Sequence, residues 1–195
     1  PLKNISITIN HNYETIYIGG GTPTALSDEE LDKLLSNFDN YSKKVKEYTI
    51  EANPESLTES KINIFLKHNI NRISMGLQSS NNKELKLMNR HHSFDDVKDK
   101  VNLLRAKGIN NISIDIMYSL PGQTMESLKK TVKDALSLKV PHLSLYSLTV
   151  EENSVFGKKG YKSLDEDTEA DMYEYIVDTL VKYGYHQYEI ANFCL

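Results

Sequence analysis

Thiol is nearly absent from this chain of 195 residues: the single cysteine is Cys194, next to the last position. One thiol excludes a disulfide framework and any metal centre built from cysteines of this chain, and it fits a reducing compartment. Tryptophan is missing altogether, and no apolar run approaches the ~20 residues needed to cross a bilayer. No secretory leader is visible at Pro1. Neither sign of charge dominates: the net charge is −4, and lysine and arginine are scattered among acids, so nucleic acid is not an expected partner. The chain does not begin with Met, and its own N-terminus is expected to lie upstream.

What is present is a regular alternation. Strand-like runs at 15–18, 47–51, 72–76, 112–117, 142–148 and 187–190 are each followed, except the last, by a helix-like stretch. That is the pattern of a parallel α/β sheet or barrel. Helix starts are marked by Ser27 with Glu30, Thr58, Ser93 with Asp96, Thr124, and Ser163 with Glu166. Leu31, Leu34, Leu35 and Phe38 give the first helix its apolar face; Ile62, Phe65 and Leu66 give the second. Residues 151–163, with Gly157, Gly160 and the Lys158-Lys159 pair, read as a solvated excursion. Residues 1–14 take no assignment. With no linker or internal repeat, residues 1–195 are expected to form a single domain.

Ligands of parallel α/β folds bind at the C-terminal ends of the strands. Strand one exits into Gly19-Gly20-Gly21-Thr22-Pro23, strand two at Glu51 and Asn53, and strand three at Gln78 and Ser79, with Arg90 one helix later. Strand four contains Asp115, and strand five exits at Ser147 and Thr149. The glycine run fails as a dinucleotide fingerprint, because Thr24 stands at the third glycine position and Pro23 interrupts the turn; it fails as a P-loop for want of GKS or GKT. Alone it would read as a solvent-facing turn. With Glu51, Gln78, Arg90 and Asp115 behind it, it reads as a site. Bare loop carbonyls and the two acids suit an ammonium, a sulfonium or ribose hydroxyls, and the Arg90 fork suits a carboxylate. An amino-acid-plus-ribose ligand such as S-adenosylmethionine uses all of these groups. His91-His92 reads as a solvated pair before a helix, and His142 as structural. Tyr146 and Tyr188 read as either barrel-mouth or core residues.

The segments Tyr17–Thr24, Glu51-Ala52-Asn53-Pro54, Arg72–Ser79, Asn89-Arg90, Asp115–Thr124, Tyr146-Ser147-Leu148 and Tyr188–Phe193 together resemble the anaerobic coproporphyrinogen III oxidase-like group of radical S-adenosylmethionine proteins, and most closely its heme chaperone branch. The resemblance covers roughly residues 15–195. It implies an α/β fold, a partial (β/α)6 radical S-adenosylmethionine barrel truncated at both ends, in a cytoplasmic protein. It implies S-adenosylmethionine contacts at Gly20, Gly21, Thr22, Glu51, Gln78, Arg90 and Asp115. It also implies a [4Fe–4S] cluster on a Cys-x3-Cys-x2-Cys loop, expected upstream of Pro1. Such a protein binds heme and delivers it to respiratory enzymes. The alternative is oxygen-independent coproporphyrinogen III oxidation, a radical decarboxylation of a porphyrinogen in heme biosynthesis. With no cluster cysteines, this chain by itself is expected to hold no metal and to be inactive in radical generation.

Overall fold

The structure, a computed structural model, describes residues 13–195. Five strands run parallel, each beside its successor: β1 (Thr15–Ile18), β2 (Glu47–Ala52), β3 (Arg72–Gln78), β4 (Asn111–Tyr118) and β5 (His142–Ser147). Parallel neighbours need crossovers, and helices supply them. These are α1 (Asp28–Ser36) with the short α2 (Asp39–Ser42), α3 (Glu59–Lys67), α4 (Asn82–Leu87) with α5 (Phe94–Ala106), and α6 (Met125–Ser137). After β5 come α7 (Val155–Lys158) and the long α8 (Glu166–Lys182), then β6 (His186–Glu189) and β7 (Asn192–Cys194). The sheet curls into a half-barrel with strand order β1-β2-β3-β4-β5-β7-β6.

The partial α/β barrel that the resemblance implies is present, and its last unit differs in detail. The strand expected at 187–190 lies at the sheet edge and pairs with β7 as an antiparallel hairpin. It is β7, absent from the sequence reading, that joins β5, also antiparallel, with Leu143 opposite Phe193. Three residues are too few for a periodicity signal, yet Phe193 is wholly buried and anchors the hairpin in the core.

Capping chemistry fixes the helix starts. Ser27 with Glu30 and Ser93 with Asp96 form reciprocal capping boxes, while the Thr58 and Thr124 hydroxyls accept from the backbone N–H of Lys61 and Ser127. The box expected at Ser163 does not form. Asp165 caps α8 instead, its carboxylate accepting from Thr168 N–H at 2.9 Å, because the Ser163 hydroxyl is taken by Val150 N–H at 3.1 Å.

Side chains alternate strictly along the strands. Tyr48 and Ile50 in β2, Ile73, Met75 and Leu77 in β3, Ile112, Ile114 and Ile116 in β4, and Leu143 and Leu145 in β5 join the helices' apolar stripes in one core. Leu31 and Leu35, Ile62 and Phe65, Val97 and Val101, and Met172 and Ile176 are the helical half of it. Leu66 is exposed and takes no part. The residues between, on the concave face, are Thr49, Glu51, Arg72, Ser74, Gly76, Ser113, Asp115, His142 and Ser144. A parallel sheet covered on both faces would be apolar at these positions as well; here the concave wall is polar.

Candidate functional site

Where that wall meets the strand exits there is a cleft of about 190 Å³, lined by Gly21, Thr22, Glu51, Ala52, Asn53, Ser74, Gly76, Gln78, Arg90 and Asp115. Six of the seven residues read from the sequence line it. The seventh, Gly20, touches it through Glu51: the Gly20 N–H donates to Oε2 at 3.1 Å. Tyr17 Oη donates to the other oxygen, Oε1, at 2.8 Å. Partial burial of the Tyr17 hydroxyl and the adjoining Glu51 carboxylate raise its pKa, so it remains a donor. Each Glu51 oxygen keeps a lone pair for something else.

The glycines serve three ends. Gly20 and Gly21 hold φ of +84° and +78°, a region side chains rarely enter, and a Cβ on either would point into open space. Gly19 is different: a Cβ there would stand 2.7 Å from Glu51 Oε1. At Gly76 a Cβ would collide with the Gln78 amide. The loop beyond is tied down by Asn53, whose N–H donates to Thr24 Oγ1 at 3.2 Å and whose Nδ2 donates to Thr22 Oγ1 at 3.1 Å. The buried Lys61 ammonium donates to the Thr24 and Ser56 carbonyls at 2.5 and 3.3 Å.

Asp115 faces the concave side between Ile114 and Ile116, and both carboxylate oxygens accept from Ser74 Oγ at 3.1 Å. Burial raises its pKa, and repulsion from Glu51 adds to that, while the Ser74 bond and the Arg72 charge draw it down. Gln78 ends β3 with φ +65°, where the register with β4 shifts. This sparsely populated backbone conformation turns the amide to the cleft. Arg90 follows Asn89, whose φ is +56°. Neither the Gln78 amide nor the Arg90 guanidinium has a hydrogen-bond or ionic partner among the described residues.

Some expectations fall elsewhere. Ser79 is wholly buried away from the cleft and donates to Glu84 Oε2 at 2.6 Å. Ser147 donates to Glu169 Oε1 at 2.6 Å, and Thr149 is exposed outside the cleft lining. His92 is buried, not solvated, because both ring nitrogens find partners; His91 is exposed. Tyr146 and Tyr188 are more than two-fifths exposed, so they are not core residues. Ser74 and Gly76 were missed as cleft residues. The alternation Arg72-Ser74-Gly76 against Ile73-Met75-Leu77 was the signal that could have found them.

Chemically the cleft offers two carboxylates, a free guanidinium, a free amide and an open glycine loop. Together they match the opposite charges of an amino acid and the hydroxyls of a ribose. Iron is another matter. Cys194 lies opposite His142, the first residue of β5, at the end of the sheet away from the cleft. Among the described residues no three His, Cys, Asp or Glu side chains converge as a metal site. The residues present therefore fit S-adenosylmethionine and do not fit a cluster.

A half-barrel of parallel strands whose exits converge on a polar cleft places the chain among the α/β barrel proteins, a class whose ligands sit at the strand C-termini. The chain belongs to the radical SAM superfamily, whose family model matches residues 2–135. It is 46% identical to the heme chaperone HemW of Lactococcus lactis over 93% of this chain and 49% of that protein. It is 39% identical to HemW of Bacillus subtilis over 98% of this chain and 52% of that protein. The chain thus spans about half the length of these curated relatives. The solved structure of coproporphyrinogen III oxidase (HemN) from Escherichia coli, a radical SAM enzyme, superposes with a TM-score of 0.83 at 24% identity, over 93% of this chain and 43% of that one. At that identity the likeness shows the fold. The superfamily implies S-adenosylmethionine and a 4Fe–4S cluster as cofactors. No helix among the described residues is long and apolar enough to cross a membrane.

Proposed function

We propose that the cleft binds S-adenosylmethionine, and that the chain is the cofactor-binding part of a heme chaperone that delivers heme to respiratory enzymes. The observation carrying the cofactor reading is the free Arg90 guanidinium in one cleft with Glu51 and Asp115. Arg90 takes the ligand's carboxylate; Glu51 and the glycine-loop carbonyls take its ammonium; Asp115, held by Ser74, accepts from a ribose hydroxyl or faces the cationic sulfur. When bound, S-adenosylmethionine supplies a sulfonium with a cleavable carbon–sulfur bond. This chain's residues orient the ligand and screen it from water, and the iron side of such a site lies outside the set they form. The chaperone reading is supported by the two HemW relatives, at 46% and 39% identity. A cytoplasmic setting accords with a lone unpaired thiol.

In the complete protein, Glu51→Ala and Asp115→Ala should each weaken S-adenosylmethionine binding by about tenfold or more, the loss of a charge-assisted hydrogen bond. Isothermal titration at wild-type affinity in both variants refutes the site. Heme titration and a coproporphyrinogen III oxidation assay on the complete, cluster-loaded protein test the rest. Saturable heme binding without turnover supports the chaperone; production of protoporphyrinogen replaces it with the oxidase.

A further inference from the structure

Arg90 and Gln78, cleft groups with no partner among the described residues, are long side chains, and ordering them on a ligand costs entropy. Their backbones are held from an unexpected place. Glu55, in the loop after β2, is not in the cleft lining. Its Oε1 accepts from the backbone N–H of His91 at 2.6 Å and of His92 at 3.1 Å, the two residues directly after Arg90. The same oxygen lies 3.3 Å from His92 Nδ1. The other ring nitrogen, Nε2, lies 3.0 Å from the Leu77 carbonyl. A carbonyl only accepts, so Nε2 carries a proton and donates. Leu77 directly precedes Gln78, at the register shift where β3 leaves the sheet.

One carboxylate and one imidazole thus join three segments: the β2 exit, the β3 bulge and the turn carrying Arg90. The His92 side chain is 1% exposed, so water does not compete for its bond to the Leu77 carbonyl, while the Glu55 carboxylate is 34% exposed. Burial works to raise the Glu55 pKa, and the His91 and His92 bonds outweigh it and lower it, so the clamp is ionised. We propose that Glu55 and His92 are positioning residues of the cleft, presetting the Arg90 guanidinium and the Gln78 amide for the carboxylate end of its ligand. The inference rests on the reading of the cleft as an S-adenosylmethionine site. It goes further in naming residues that touch no ligand and in assigning them one end of it.

The test compares two probes on the complete protein: S-adenosylmethionine, and its decarboxylated analogue, which lacks only the group Arg90 would hold. Glu55→Ala should weaken S-adenosylmethionine binding about tenfold, a bidentate contact loosened rather than deleted. Binding of the decarboxylated analogue should be unchanged. Glu55→Gln keeps an oxygen acceptor for both N–H groups and should stay within about threefold of wild type. Glu55→Ala combined with Arg90→Ala should bind no more weakly than Arg90→Ala alone, because the two act as a unit. Amide hydrogen exchange should quicken at residues 91–92 and 77–79 in Glu55→Ala and be unchanged elsewhere in the sheet. Equal loss for both probes, additive losses in the double variant, or unchanged exchange overturns the positioning role. If Arg90→Ala itself binds S-adenosylmethionine as wild type does, the reading of the cleft falls and the inference with it; the exchange experiment then still shows whether the clamp exists.

Discussion

His142 allows a pH effect to be worked out with its sign. The residue is 9% exposed, with Nδ1 2.8 Å from Ser113 Oγ and Nε2 2.7 Å from Tyr188 Oη. Burial, joined by the Arg72 charge and opposed by Glu47, lowers its pKa from 6.5 to about 4. At neutral pH the ring is uncharged in folded and unfolded chain alike, and its contribution to stability is complete. As pH falls below 6.5 the unfolded chain takes up a proton that the folded chain refuses until about pH 4. Stability is therefore lost on acidification through that window, at up to ~1.4 kcal/mol per pH unit, or about 3 kcal/mol across it. His142→Gln removes the titration and keeps a polar side chain. The depressed carboxylates, Glu55 and Asp32 among them, also lose stability as pH falls, but they do so in both proteins. Denaturant unfolding at pH 7 and pH 5 should show wild type losing about 2 kcal/mol more than the variant over that step. A ring titration by NMR should place the midpoint near 4. Parallel pH slopes for the two proteins, or a midpoint between 6 and 7, would refute the reasoning.

Two other perturbations follow from the geometry. Glu84 is buried, has no cationic partner among the described residues, and accepts from Ser79, Ser127 and Gln123. Glu84→Ala strands those donors and should cost about 3 kcal/mol in denaturant unfolding; a loss under ~1 kcal/mol would mean water replaces the carboxylate. Gly19→Ala places a Cβ 2.7 Å from Glu51 Oε1 and should displace that carboxylate. It should therefore impair S-adenosylmethionine binding, and isothermal titration at wild-type affinity would show that Glu51 keeps its place.

The sequence exposes what depends on local rules. Strand periods, the Ser27 and Ser93 capping boxes and the glycine loop are each decided by neighbours a few residues away, and each is found in the structure. The cleft was legible because parallel strands bring their exits together whatever their spacing along the chain. What escaped was decided by which partner each side chain reaches in the fold. Ser163 lost its cap because Val150 claims its hydroxyl. Ser79, next to a cleft residue, turns to Glu84 because Gln78 adopts a positive φ. His92 is buried through Glu55, 37 residues away, and no window of sequence contains both. The β6–β7 hairpin depends on one buried phenylalanine in a three-residue strand.

The alternation along β2 to β5 divides labour between two sets of positions. One set is spent wholly on the core, and a change there threatens folding. The other faces the hollow, where an exposed side chain such as Tyr146 stands with little demand from packing. Exchanging Tyr146 for a side chain of another shape leaves the helices' seat on the sheet untouched. Such a scaffold can be refitted to a new ligand one exposed hollow-facing position at a time, holding its fold constant.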